Sequence, residues 1–201
     1  MSMSSINRLL LIALIALDLV ACTGMPVVSS VTVPTVPPQI SKDYQSGVTA
    51  FKAKKYRQAI KIFTAIIKQY PQSTLSHTNL GLIYLHQNKL KLADGHFSTS
   101  LELTPANPIA HNHKGIIYRQ QGEFDKALAS YKLAIRYKPD YANAHLNLAI
   151  LYDIYRQDVS LALQHYRHYQ LLTKNTDKLV AKWIIDNERR LTAMSSGASH
   201  E

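Results

Sequence analysis

Nine histidines and a single cysteine are the side chains of this 201-residue chain best suited to metal binding or nucleophilic chemistry. His77, His111 and His145 stand 34 residues apart, and His165 and His168 are spaced i, i+3, which places them on one side of a helix. A zinc centre needs three or four ligands at about 2.0–2.3 Å, and no carboxylate adjoins His165 or His168. His111 and His113, two residues apart, diverge on a helix. Cys22 has no second thiol for a disulfide. No nucleophile stands with a base in any catalytic spacing. The expectation is a protein that is not an enzyme and holds no metal or cofactor. A histidine-dependent metalloenzyme is the alternative from a different class.

The meaning of Cys22 comes from what precedes it. Arg8 is followed by an apolar run over residues 9–17, then by Val20 and Ala21. Charged, apolar, then small is the order of an export signal. The apolar segment falls short of the ~20 residues that span a bilayer, and Asp18 interrupts it further. The sequence LVAC at residues 19–22 resembles the bacterial lipobox, beside the plainer reading of an ordinary signal peptide with a chance cysteine. The resemblance implies a signal peptide over 1–21 and an acylated Cys22 that anchors the mature chain, stably if two or more chains are attached. With Thr23 rather than Asp after the cysteine, it implies the periplasmic face of the outer membrane. Residues 22–39 carry four prolines and no charge, the composition of an extended tether.

From residue 40 the chain repeats itself. Gly47, Gly81 and Gly115 are 34 apart, with Ala149 in the next place. Ala59, Ala93 and Ala127 keep that spacing, as do Phe63, Phe97 and Tyr131, and Pro71, Pro105 and Pro139. This pattern resembles the tetratricopeptide repeat, a helix-turn-helix unit, and implies an all-α solenoid over 40–176 with units 40–73, 74–107, 108–141 and 142–176. The physics of the columns agrees. A glycine inside a helix costs about 1 kcal/mol, which makes sense where something must approach the backbone closely. The small alanine lets the second helix come near, and the aromatic one turn later fills the space beside it. The proline ends the second helix, since the residue before it avoids helical geometry. Asn88 and Gly122 suit a left-handed turn between the helices.

In unit four Ala162 and Tyr166 arrive one residue late, so the loop at 156–160 reads as lengthened by one, and Lys174 replaces the proline. Residues 177–192 form an amphipathic helix with Leu179, Val180, Trp183, Ile184 and Leu191 on one side, able to cap the open end of the array. Residues 193–201 read as a disordered tail.

The chain has a net charge of +10, and residues 40–73 hold Lys42, Lys52, Lys54, Lys55, Arg57, Lys61 and Lys68 against Asp43 alone. Such a cluster is either a solvated face or a contact for anionic headgroups or an acidic partner. Nucleic acid does not fit an exported protein. The resemblance also implies a groove lined by the first helices. One of its columns falls after the glycine at Val48, Leu82, Ile116 and Ile150, and the next at Phe51, Leu85, Arg119 and Asp153. The plain alternative is that these residues are core. Such a groove suits an apolar segment or amphipathic helix of an envelope protein. The chain resembles tetratricopeptide lipoproteins that assist outer-membrane machines, such as pilotin-type lipoproteins of type IV pilus secretins, and an adaptor for cell-wall hydrolases is a further reading.

Overall fold

The computed structural model describes residues 38–197. Cys22, the leader over 1–21 and all but the end of the expected tether lie outside the described residues. Nine helices make up the described part: α1 (Pro38–Lys52), α2 (Tyr56–Gln69), α3 (Thr74–His86), α4 (Leu90–Leu103), α5 (Pro108–Gln120), α6 (Phe124–Tyr137), α7 (Ala142–Ile150), α8 (Val159–Leu172) and α9 (Lys178–Gly197). Pairs α1–α2, α3–α4, α5–α6 and α7–α8 form hairpins, and each second helix also packs on the next first helix. The chain from Pro38 is a compact unit of its own. No helix among the described residues is long and apolar enough to cross a membrane.

The repeat columns are the core. Ala59, Ala93, Ala127, Phe63, Phe97 and Tyr131 are fully buried. The glycines are required by the ring of the same unit. A Cβ on Gly115 would lie 2.5 Å from the Tyr131 ring, and one on Gly81 would lie 2.7 Å from the Phe97 ring. The close approach is therefore made by the aromatic side chain seated on the first helix.

Each hairpin turn uses a left-handed residue two positions before the second helix: Lys54, Asn88, Gly122 and, one residue late, Gln157. The left-handed residue thus stands at the same distance from the second helix in all four units, and the expected lengthening at 156–160 is not there. The extra residue is taken up earlier, where α7 continues into a π-helical turn over Leu151–Arg156. An i→i+5 turn absorbs one residue inside a helix without disturbing what flanks it. Where proline is missing after α8, Lys174 and Asn175 both adopt positive φ and end the helix instead.

A buried polar knot joins units two and three. Asn107 caps α5 by accepting from the Ile109 and Ala110 amides at 3.1 and 3.3 Å. Its Nδ2 donates to Thr78 Oγ1 and Ser100 Oγ, both at 2.9 Å. At the far end Asp177 caps α9 by accepting from the Leu179 and Val180 amides, and the Tyr169 hydroxyl donates to it at 3.0 Å. These bonds hold the Asp177 carboxyl below its ordinary range, the Val180 amide most strongly. On α9 the packed stripe is Val180, Trp183, Ile184 and Asn187. Leu179, expected on that side, is 55% exposed because it lies about 100° round the helix from Val180, whereas Leu191 keeps to the packed line, four residues after Asn187, and is 38% exposed. The helix also runs past its expected end at 192. Residues 193–197 are helical, supported by Ala193 and Met194 as good helix formers and by Ser195 Oγ donating to Thr192 O at 2.8 Å.

Candidate binding groove

First helices of successive units touch one another, α1 with α3, α3 with α5 and α5 with α7, whereas successive second helices make no comparable contact. Helices crowd on the inside of a curved stack and splay on the outside, so the first helices line the inner face.

Val48, Leu82, Ile116 and Ile150 all sit there half-buried, each packed at the margin of an apolar cluster. They are neither fully core nor freely exposed. Phe51 and Leu85 are half-buried too, and Phe51 packs edge-on against His86 and tilts against Tyr56. Arg119 lies beside the buried Tyr131 hydroxyl; burial pushes that hydroxyl above its ordinary range, and the guanidinium offsets part of the shift. Asp153 does not face the groove as a free carboxylate. It accepts from the Tyr166 hydroxyl at 3.2 Å, Asn187 Nδ2 at 3.1 Å and Arg190 at 2.5 Å, which ties unit four to α9. Burial and this carboxylate raise the Tyr166 pKa well above the tyrosine range.

Sequence reading missed the more accessible part of the face. Leu75 and Ile109, seven residues before Leu82 and Ile116 and so on the same side of their helices, are 59% and 39% exposed. Between them and the half-buried column run side-chain amides. Asn79 donates to the Tyr44 hydroxyl at 2.9 Å, and Asn147 donates to Asn112 Oδ1 at 3.0 Å, each across to the preceding first helix. The 34-residue spacing of Leu75 and Ile109 was the available signal. The face combines projecting aliphatics with amide ladders, the mixture that seats an apolar segment and fixes its register.

The histidine ladder lies at the seam between the two helices of a unit. Nε2 of His77, His111 and His145 each bonds the carbonyl of the proline six residues earlier, at 3.2, 2.8 and 2.9 Å. A carbonyl only accepts, so each of these rings carries its proton on Nε2 when neutral and its Nδ1 is an acceptor. His96 and His165 then supply the donor, with Nδ1–Nδ1 separations of 3.2 Å to His77 and 3.1 Å to His145. Unit three has Ser130 in that place. Burial, then the like charges of His145, His168 and Lys132, push His165 down to about 4. Burial also lowers His145 and His96. His113 points elsewhere, stacked on Phe97 and bonded to Ile109 O at 2.7 Å, so His111 and His113 do diverge. Among the described residues no three His, Cys, Asp or Glu side chains are arranged to hold a metal ion.

Lys52, Lys54, Lys55, Arg57 and Lys61 are all exposed; Lys52 follows Val48 by one turn at the end of α1, and the other four lie in the hairpin turn and on α2.

Two family models match the chain, one described as Tetratricopeptide repeat over residues 44–108 and one as TPR repeat over residues 115–153. No curated protein matches it. Among solved structures, PilF of Pseudomonas aeruginosa is 18% identical over 77% of this chain and 69% of its own, with a TM-score of 0.68. MamA of Desulfovibrio magneticus RS-1 is 20% identical over 69% and 78%, at 0.57. The first TPR of Spaghetti (RPAP3), solved bound to an HSP90 peptide, is 18% identical over 60% and 94%, at 0.55. At these identities the likeness is one of fold. Both family matches describe the same repeat, and the chain is built of tetratricopeptide repeats over these residues, in an all-α solenoid.

Proposed function

We propose that this protein is a membrane-anchored adaptor of the bacterial envelope that binds an apolar or amphipathic segment of another protein along its inner face, and that it catalyses no reaction. The observation that carries this reading is the inner face itself: exposed Leu75 and Ile109, half-buried Leu82 and Ile116, and amides bridging adjacent first helices. The peptide-bound repeat domain among the structural neighbours supports binding by this fold. The likeness to PilF, with the lipobox-like residues 19–22, supports anchoring through acylated Cys22 at the outer membrane and service to a type IV pilus secretin.

The test is the double substitution Leu75→Glu and Ile109→Glu. Both side chains are exposed, so helicity and melting temperature should stay close to those of the parent. Recovery of the partner from detergent-solubilised envelopes should fall at least tenfold, since each carboxylate would be buried unpaired against an apolar ligand at about 2 kcal/mol or more. A folded double variant that recovers the same partner undiminished removes the inner face from the proposal. Anchoring is tested separately: Cys22→Ala should abolish labelling by a fatty-acid analogue and release the protein from membranes.

A further inference from the structure

We infer that the outer face of the first unit is a docking surface for an anionic lipid bilayer. On α2, Arg57, Lys61 and Lys68 fall within about 40° of one another at ~100° per residue, almost diametrically opposite the buried Ala59, Phe63 and Ile66. Lys54 and Lys55 in the hairpin turn and Lys52 at the end of α1 extend this stripe at its start. All six side chains are exposed.

The array contains its own control. The places of Arg57, Lys61 and Lys68 are held by Lys91, Gly95 and Glu102 in unit two and by Asp125, Ala129 and Arg136 in unit three. In unit four, one residue later, they are Ser160, Gln164 and Leu171. The fold does not require basic residues there, because three of four units do without the stripe. Nor are these charges spent inside the protein. The six ion pairs among the described residues all lie from Asp94 onward, and unit one has seven bases against the single carboxylate of Asp43.

The chemistry of the stripe favours lipid over an acidic protein. Protein interfaces are built round an apolar or aromatic centre, and lysine is depleted in them. Between the bases α2 presents only the small Thr64 and Ala65. Long flexible bases without an apolar centre suffice for adsorption to anionic headgroups, to which each contributes about 1 kcal/mol. The inference goes beyond the adaptor reading and does not rest on acylation of Cys22.

The experiment uses residues 23–201, which contain the whole compact unit from Pro38 and lack both the apolar leader and Cys22. Sedimentation is measured with vesicles of phosphatidylcholine plus phosphatidylglycerol and with phosphatidylcholine alone. Binding should require phosphatidylglycerol and weaken as salt is raised, in line with screening of exposed charge. The variant Lys54→Gln, Lys55→Gln, Arg57→Gln, Lys61→Gln should bind at least about tenfold more weakly. An equal-charge control, Lys91→Gln, Lys132→Gln, Arg136→Gln, Lys182→Gln, should keep most of the binding. Circular dichroism checks that both are folded. Equal losses in the two variants would mean that net charge, not this stripe, holds the lipid, and would overturn the inference. So would absence of binding to phosphatidylglycerol vesicles, including the case in which the stripe instead crosslinks to an acidic protein.

Discussion

The first unit and the fourth use charge in opposite ways. In the fourth, Asp153 collects Tyr166, Asn187 and Arg190, and Arg167 meets Glu188 at 2.7 Å, so polar groups fasten α7, α8 and α9 together. Arg156 reaches back to Asp125 of unit three at 2.9 Å. In the first, packing is carried by the apolar cluster around Ala59, Phe63 and Ile66, and the bases point outward. The lesson is that one backbone unit tolerates either arrangement, because its fold depends on the small and aromatic columns. Charge is then free to be a clasp at one end and a surface at the other.

The two ends also differ in register, and deletions should separate them most strongly. Removing exposed Thr49 from α1 would turn Ala50 and Phe51 by about 100° away from their packing, at a cost of several kcal/mol. Removing exposed Ile154 from the π-turn of unit four should instead restore an ordinary helix and change stability by no more than about 1 kcal/mol. Thermal melts of the two deletions make the comparison; similar large losses would mean that the π-turn is needed and does not merely absorb a residue.

Next in size is the clasp. Asp153→Ala leaves the Tyr166 hydroxyl without its acceptor and the buried Asn187 amide with only the Trp183 carbonyl, and should cost about 2–4 kcal/mol, read from denaturant midpoints. Hydrogen exchange should show α9 opening first.

The histidine seam gives a pH test of the same contrast, since unit one has Asp43 in the ladder position and no histidine at all. His165 has its folded-state pKa depressed, to about 4, from 6.5. The unfolded chain therefore takes up the proton first. The stability from a neutral His165 is complete above about pH 6.5 and is lost as pH falls toward about 4. Facing it are His145, His168, Lys132 and the Tyr152 ring, none of which supplies a negative charge. His165→Gln can still donate to His145 Nδ1 and should flatten the decline of melting temperature between those pH values. An unchanged slope would place the acid sensitivity elsewhere.

The smallest effect belongs to the first unit. Arg57→Gln or Lys61→Gln should move stability by less than about 0.5 kcal/mol, because among the described residues neither side chain has an ion-pair partner to lose. A larger loss would show that the stripe supports the fold and would weaken its reading as a surface for something else.

Much of this architecture was legible because a 34-residue period repeats the same local problem. Gly81 with Phe97 and Gly115 with Tyr131 are matched pairs in sequence and meet as such in space. The inner column at Val48, Leu82, Ile116 and Ile150 could be located, but its degree of burial could not, since that depends on how closely neighbouring first helices approach. The extra residue of unit four was visible as a late Ala162 and Tyr166. Its location was not, because loop and helix accommodate an insertion with the same sequence spacing. The accessible Leu75 and Ile109 were passed over for the same reason as Leu179 was wrongly turned inward: periodicity gives a stripe but not its edges.

Sequence alone determined the repeat, the helix pairs, the buried columns and the concentration of positive charge in unit one. Each follows from residue type at fixed spacing along one chain segment. Tertiary structure alone decided that Asp153 reaches across to Asn187 and Arg190 of α9, that His77 and His145 find donors in His96 and His165, and that α2 turns its bases directly away from the core. Those facts depend on the rotation of one helix against another, which side-chain packing sets and linear spacing leaves open.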